Sequence, residues 1–354
     1  MKILHTADIH LREKGDERWQ ALARVLEVGE VRGASVVAIS GDLFDHETRV
    51  DDLKNPLRDL FETSKSNFVI IPGNHDGEAI RRGDFFGANV SLLTAPGQWV
   101  DIDDVRLFGL PFDREGGDKA LNQILSMKGS LKQDGTNIVL FHGELVDMMF
   151  TSDGYGEGEE SGYMPVKLSY FAGMGIDYVL AGHFHSNFDI HTFDGGYFVY
   201  PGSPVSHTRK ETGPRSVNLF ETGGPPSAVT LDTPYYEPVV VDLDPFGGVD
   251  PLEAIRGGMA AADPNARLLV TVGGLVDLGA LGCTESEFAD AVARLLPERA
   301  APPAHEWRDI TRVVDDELFA RSMEKLESKD IEDKEKDGIR RLIIRSLMEA
   351  SRAD

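Results

Sequence analysis

The sequence predicts an α/β fold of layered α+β character. Two sheets pack as a sandwich flanked by helices, with a small α/β capping unit and C-terminal helices after them. Three observations carry this expectation. Short apolar runs alternate with amphipathic helical patterns through the first 180 or so residues, an order that builds a right-handed, largely parallel sheet. These runs lead into short polar, turn-forming stretches. The stretch from 188 to 232 reads as β alone, so a second sheet packing on the first is expected. With 354 residues, 41% of them hydrophobic, the chain can bury a sizeable core in two or three domains. The breaks place these at 1–235, 236–303 and 304–354.

Residues 2–7 read as a first, central strand, followed by Asp8-Ile9-His10. A helix runs from about Asp16 to Val31, with Trp19, Leu22, Ala23 and Leu26 on one face and Gly33 as its stop. Val36–Ser40 is a second buried strand that delivers Gly41-Asp42-Leu43-Phe44-Asp45-His46. A helix over 51–65 follows, then the strand Phe68–Ile71, which Pro72-Gly73 ends. Another short helix is expected from Glu78 to Phe86, an antiparallel pair over 98–111, and a helix near Lys119–Met127. Strands 137–141 and 177–181 end at His142-Gly143-Glu144 and at Gly182-His183-Phe184-His185. Between them, 151–162 is rich in Gly, Glu and Ser and reads as a mobile loop. Residues 234–238 read as a linker to a small domain with strands at 239–241 and 266–272 and helices near 251–261 and 284–296. Pro302-Pro303 marks a further break before a charged, helical tail over 315–351.

The formal net charge is −24 and the sequence pI about 4.8. Such an excess argues against broad attraction to nucleic acid or anionic membrane, although bound cations invert the field of a carboxylate-rich site. The single cysteine, Cys283, excludes a disulfide framework and reads as a small buried apolar residue. No secretory leader or long apolar span stands out, so a cytoplasmic location without membrane association is expected.

The tetrapeptide Gly73-Asn74-His75-Asp76 has two readings. It is a polar turn stabilised by its own Asn and Asp, or a loop that brings an amide oxygen and an imidazole to a metal ion and a phosphate. Repetition favours the second. Asp8, His10, Asp42, Asn74, His142, His183 and His185 each lie just after an expected strand. Residues two apart in an extended segment point the same way, so Asp8 with His10, and His183 with His185, can share an ion. Oxygen and nitrogen donors without thiolates suit Mn²⁺, Fe²⁺ or Zn²⁺. Seven are too many for one ion. With Asp42 bridging they make two four-ligand sets, and two ions about 3.5–4 Å apart clamp a phosphoryl group and activate a water.

The series D-x-H, G-D-x-x-D, G-N-H-D, H-G and G-H-x-H resembles the calcineurin-like metallophosphoesterase superfamily. The resemblance implies one ion held by Asp8, His10, Asp42 and His185, and another by Asp42, Asn74, His142 and His183. It places His75 on the scissile phosphate, to stabilise or protonate the leaving oxygen, and Asp45 where family phosphatases orient that histidine. His46 is expected to point elsewhere, into solvent. The opening Met1–Leu11, the Gly41–Asp45 loop and Tyr200-Pro201-Gly202-Ser203-Pro204 are similar, more narrowly, to DNA-repair nucleases of the bacterial SbcD and the meiotic recombination eleven types. Asp45 stands where the archaeal and eukaryotic branch usually has His, which favours the bacterial pattern.

That narrower likeness implies a 3′→5′ exonuclease and single-strand endonuclease on DNA. It implies two divalent ions, Mn²⁺ by preference with Fe²⁺ or Zn²⁺ as alternatives, and an SMC-like coiled-coil ATPase (SbcC type) as partner. DNA contacts would fall to local pairs such as Arg81-Arg82 and Arg209-Lys210, each of which also reads as a solvated surface pair. The tail over about 315–351 carries apolar stripes at Leu318, Phe319, Met323 and Leu326, and at Ile339, Leu342, Ile343, Leu347 and Met348. These fit a hairpin packing on its own chain and a docking site for the ATPase equally well. Homodimer formation is left open. The alternative activity is a small-molecule phosphodiesterase or nucleotidase on the same fold. A phosphoprotein phosphatase fits less well, because His46 stands where its loop carries Arg and the chain has G-N-H-D rather than G-N-H-E.

Overall fold

The computed structural model describes residues 1–46, 48–77, 79–114, 116, 118–147, 164–186 and 188–350. The loop expected over 151–162 lies outside them. Contacts divide the chain into two compact units, Met1–Tyr236 and Glu237–Asp354.

The first unit contains β1 (Lys2–Thr6), α1 (Glu17–Arg32), β2 (Val36–Ser40), α2 (Val50–Glu62), β3 (Asn67–Ile71) and β4 (Val90–Leu92). Next come β5 (Trp99–Ile102), β6 (Val105–Leu110), α3 (Asp118–Met127), β7 (Thr136–His142), β8 (Glu144–Leu145) and β9 (Pro165–Val166). The unit continues with β10 (Tyr178–Gly182), β11 (Asp189–Phe193), β12 (Gly196–Tyr200), β13 (Ser216–Glu221) and β14 (Ser227–Thr230). Two six-stranded sheets result, ordered β14-β13-β1-β2-β3-β4 and β11-β12-β10-β7-β6-β5. In each, four neighbouring strands run parallel and antiparallel strands are added at the side.

Side-chain alternation along the strands builds the layers. Ile3, Val36, Ala38, Val69 and Ile71 meet Val105, Leu107, Ile138, Leu140 and Leu180 between the sheets. The intervening residues turn outward: Leu4, Val37, Ile39, Phe68 and Ile70 pack against Leu22 and Val25 of α1 and Leu57 and Phe61 of α2. On the far side, Val139, Phe141, Val179 and Phe198 pack against Ala120 and Ile124 of α3. Strands buried on both faces explain why the sequence shows continuous apolar runs there. Asp16 caps α1 by accepting from the Trp19 amide, and Gly33 closes it at φ 70°.

Three expectations change. Residues 188–232 do not make a sheet of their own: β11 and β12 extend the second sheet, while β13 returns to pair antiparallel with β1 and cover its free edge. The described residues of 78–86 form turns rather than a helix. Gly83 takes φ 98°, and the Asp84 carboxylate accepts from the Arg81 amide, competing with helical bonding. Ile80 and Phe86 still reach the core. The stretch read as a linker at 234–238 opens a strand, β15 (Tyr235–Leu243).

The second unit has β15 joined by α4 (Pro251–Ala260), β16 (Ala266–Val276), α5 (Leu278–Leu281) and α6 (Glu285–Leu295). It ends with β17 (Ala304–His305), β18 (Arg308–Asp309), α7 (Thr311–Val314), α8 (Glu317–Glu327) and α9 (Asp333–Ala350). The β16 strand pairs with β15, β17 and β18. Cys283, expected to be buried, is half-buried, because it follows the left-handed Gly282 that ends α5 at the surface. The tail helices share a small core of their own: Ile310, Val313, Phe319 and Ile344, with Leu275, Met323, Ile343 and Leu347 against it. Phe319→Ala removes a nearly buried ring and is expected to cost about 3–5 kcal/mol. Urea unfolding of the variant should show a transition of the second unit at lower denaturant, with that of the first unit unmoved; one unchanged curve would mean α8 is not held by this core.

Candidate metal centre

The parallel strands of both sheets deliver their following loops to one place. Asp8 and His10 follow β1, Asp42 follows β2, and Asn74 and His75 follow β3. His142 is the last residue of β7, and His183 and His185 follow β10. Close approach is enforced by glycine. A Cβ on Gly41 would lie under 3.0 Å from the His142 ring, and one on Gly73 under 3.0 Å from the Asp42 carboxylate. Asp8, His10 and Asp42 all adopt positive φ (55°, 51° and 52°), as does His183 at 111°. Non-glycine residues adopt such conformations at a cost of about 1–3 kcal/mol each, and they cluster where function fixes geometry.

The seven expected donors converge. Asp8, His10, Asp42 and His185 each offer an atom within 4.8 Å of the others. His10 Nε2 lies 3.2 Å from His185 Nε2 and 3.6 Å from Asp42 Oδ2. On the other side of Asp42, His142 Nε2 is 3.4 Å from the same Oδ2 and 2.8 Å from Asn74 Oδ1. His183 Nδ1 stands 3.1 Å from that amide oxygen. Asp42 therefore sits between two groups of donors, and its Oδ1 accepts from the His75 amide at 2.8 Å.

The donor chemistry fits cations. His142 Nδ1 faces the Ser40 carbonyl at 2.8 Å, and a carbonyl only accepts. A neutral His142 thus carries its proton on Nδ1 and turns a lone pair toward the Asn74 oxygen. Two acceptors at that distance need a proton or a metal ion between them. Asp8 and Asp42 are buried, with imidazoles of His10, His142 and His185 within 4.0 Å of their carboxylates. Buried carboxylates require paired charge or a metal. Burial alone would raise the Asp42 carboxyl, but the charge and hydrogen bond of His142, followed by His10 and His75, hold it below the ordinary carboxylate range. Burial raises Asp8 against the opposing pull of His185 and His142. Burial would lower His142; the Asp42 carboxylate, and then Asp8, push it up to about 9.

Asp76, the last residue of the tetrapeptide, serves the scaffold. Its buried carboxylate accepts from the amides of Gly73, Phe44 and Leu43 at 2.9, 2.8 and 3.2 Å, tying the β3 loop to the β2 loop. His75 lies beside the donors, its ring 4.4 Å from that of His10. Its Nδ1 is 3.9 Å from Asp45 Oδ1, beyond hydrogen-bond range. Asp45 is itself held by Arg12 Nε at 2.8 Å and an Arg18 nitrogen at 2.6 Å. His46 is solvent-exposed, as expected, but its ring does not point away: it stacks on His75 with centroids 3.8 Å apart. The loop turns at His46, which lays the two rings face to face.

The family model described as calcineurin-like phosphoesterase matches residues 1–187, more than half of the chain. The chain belongs to the calcineurin-like phosphoesterase family. Its activity is metal-dependent phosphoester hydrolysis, and its buried His/Asp cluster is suited to two metal ions. Among solved structures, this phosphoesterase is similar to a protein of Thermus thermophilus, at 15% identity over 61% of this chain and 92% of that one, with a TM-score of 0.40. A dimetal phosphatase from Danio rerio is similar at 11% identity, over 62% and 91%, with a TM-score of 0.38. A purple acid phosphatase from yellow lupin is similar at 13% identity, over 62% and 48%, with a TM-score of 0.41. Likenesses this slight say nothing of substrate. No curated protein matches the sequence.

Several neighbours of the site carried no signal in the sequence. Arg18 lies on the polar side of a helix. His207 and Glu211 follow the Pro201–Pro204 turn and reach the site only because β12 leads back to it. Among the described residues, no helix is long and apolar enough to cross a membrane.

With His142 protonated up to about pH 9 in the metal-free chain, binding an ion must release that proton. Apparent metal affinity should therefore climb with pH, by about tenfold per unit for one proton released, and level off near pH 9. Calorimetry in buffers of different ionisation enthalpy counts the protons directly; an affinity flat from about pH 6.5 to 9 would contradict the assignment of His142.

Proposed function

We propose that this phosphoesterase is a Mn²⁺-dependent DNA nuclease, a 3′→5′ exonuclease and single-strand endonuclease that serves double-strand-break repair in the cytoplasm with an SMC-like coiled-coil ATPase. The observation that carries the reading is the imidazole pair at the edge of the donor cluster: His75, stacked on His46 with Asp45 3.9 Å from its Nδ1. A phosphodiester carries one negative charge and needs its leaving alkoxide protonated. An imidazolium at that edge can give the proton and return to neutral imidazole, whereas a phosphomonoester, with a second charge, is better met by a guanidinium. Burial first, and then the neighbouring His75, keep His46 below the ordinary imidazole range.

In this reading one ion is held by Asp8, His10, Asp42 and His185, the other by Asp42, Asn74, His142 and His183. When bound, the ions would polarise the phosphoryl oxygens and supply a nucleophile at neutral pH. The chain does the rest. The Asp42 carboxylate fixes the His75 backbone at 2.8 Å; Asp45 stands 3.9 Å from Nδ1 and would have to close on it to orient the ring, leaving Nε2 to protonate the leaving oxygen. Beside His75 a cavity of about 590 Å³ is lined by Lys54, Arg81 and Arg114 and, in equal number, by Asp45, Asp51 and Asp84, with Lys54 paired to Asp51 and Asp84. In this reading the grip on the next phosphates of a strand falls to Arg81 and Arg114 and to the bound ions rather than to a net positive surface. The second unit is assigned the role of substrate cap. Its tail keeps Leu318 and Leu342 exposed, at 59% and 63%, while Phe319 and Ile344 face inward, which supports coiled-coil docking through 315–351 on the outer face.

End-labelled duplex and single-stranded DNA with Mn²⁺ test the reading, beside bis-p-nitrophenyl phosphate. Wild type should shorten the DNA, Asp42→Asn should not, and His75→Ala should retain both ions yet lose about 10²–10⁴ in rate. Hydrolysis of the small diester with DNA left intact, also after the ATPase is added, would favour the small-molecule phosphodiesterase instead.

A further inference from the structure

The Asp8–Ile9 peptide lies between two expected ligands of one ion, and it is clamped from both sides. Its N–H donates to the Asp42 carbonyl at 2.9 Å. Its carbonyl, that of Asp8, faces His207 Nε2 at 2.8 Å. Because a carbonyl only accepts, the His207 proton resides on Nε2 and the bond runs from the ring to the backbone. Asp8 itself sits at φ 55°, a conformation that a single turn does not hold without outside support.

The ring of His207 is placed with care. Its centroid is 4.9 Å from His10 and 5.2 Å from His185, edge-on to both. Nitrogens of these three histidines lie within 4.8 Å of one another. The other ring nitrogen, Nδ1, is buried and has no hydrogen-bond partner among the described residues. The loop that bears the ring is anchored by Glu211. One carboxylate oxygen accepts from the His207 amide at 2.8 Å and from Ser203 Oγ at 3.2 Å. The other faces His185 Nδ1 at 3.4 Å and Thr208 Oγ1 at 3.2 Å. One carboxylate thus links the backbone of His207 to the ring of His185, an expected ligand of the same ion.

We propose that His207 is a positioning residue for the ion that Asp8, His10, Asp42 and His185 would hold: its Nε2–H fixes the Asp8 carbonyl and so sets the directions of both Asp8 and His10. It serves that ion rather than the other, because its ring touches the Asp8 carbonyl and the rings of His10 and His185, three members of that one ligand set. The inference rests on the two-ion reading of the site and is independent of the DNA substrate.

The test compares three variants by Mn²⁺ calorimetry on the full-length, metal-stripped chain. Glutamine carries an N–H donor at about the reach of Nε2, asparagine one nearer the position of Nδ1, and alanine none. His207→Ala and His207→Asn should weaken one ion by about 10–100-fold and leave the other unchanged, the size seen when a partner that orients ligands is lost. His207→Gln should stay within about threefold of wild type. If His207→Gln falls as far as His207→Ala, ring volume matters and not the hydrogen bond, and the proposal is wrong. It is equally wrong if both ions weaken together or neither does. Melting curves without metal check that the variants fold; should His207→Ala fail to, the polar Gln and Asn variants decide between them. A wild-type chain that binds no ion removes the proposal together with the two-ion reading, whereas one that binds two ions without cutting DNA removes only the nuclease reading.

Discussion

Two buried carboxylates, ringed by imidazoles instead of ammonium or guanidinium groups, are the constraint on which the rest of this molecule depends. Asp8 and Asp42 are 0% and 1% exposed. Arginines beside the site are otherwise engaged: Arg12 and Arg18 serve Asp45, Arg18 also donates to the His10 carbonyl, and Arg215 donates to the His185 carbonyl. An unpaired buried carboxylate costs several kcal/mol. Histidines can share that load only partly, since burial opposes their own protonation. Burial, reinforced by the charge of His142, takes His183 down to about 3, while the carboxylates lift His142 to about 9. Divalent cations resolve both problems together, drawing on the Asp42 carboxylate that the imidazoles already hold ionised, favouring the ionised form of Asp8, and using imidazole lone pairs.

The scaffold is arranged so that this cluster cannot relax. Parallel strands in both sheets end at one edge, the place where such sheets bind ligands. Left-handed backbone at Asp8, His10 and Asp42 turns their side chains toward a common point. Glycines at 41, 73 and 182 allow loops to approach within distances that any Cβ would forbid. Asp76 locks two of the loops through three amide hydrogen bonds. Removing such a carboxylate would leave three buried amides without an acceptor, at about 1–3 kcal/mol each. Strain and its compensation lie a few residues apart, as expected for a site built before its ligand arrives.

The centre was largely legible in the sequence because its donors lie within a few residues of strand ends, and buried strands announce themselves as apolar runs. Asp8, His10, Asp42, Asn74, His142, His183 and His185 come together for that reason. The second layer was not legible. His207 and Glu211 reach the site through the strand order β12-β10, a long-range pairing that no local pattern encodes. The return of β13 to β1, from the far end of the same unit, was hidden in the same way. His46 keeps the expected exposure, but turn geometry, which residue type does not encode, lays its ring on His75. The turns at 79–86 were not legible because it is the positive φ of Gly83 and the Asp84 carboxylate on the Arg81 amide, not the apolar pattern, that break the backbone there.

The most direct test of the account is anomalous diffraction from crystals of the chain grown with Mn²⁺. Two peaks about 3.5–4 Å apart, one on each side of the Asp42 carboxylate, with His10 and His185 at one and His142 and His183 at the other, are what the donor geometry requires. A single peak, or two peaks not bridged by Asp42, would contradict it.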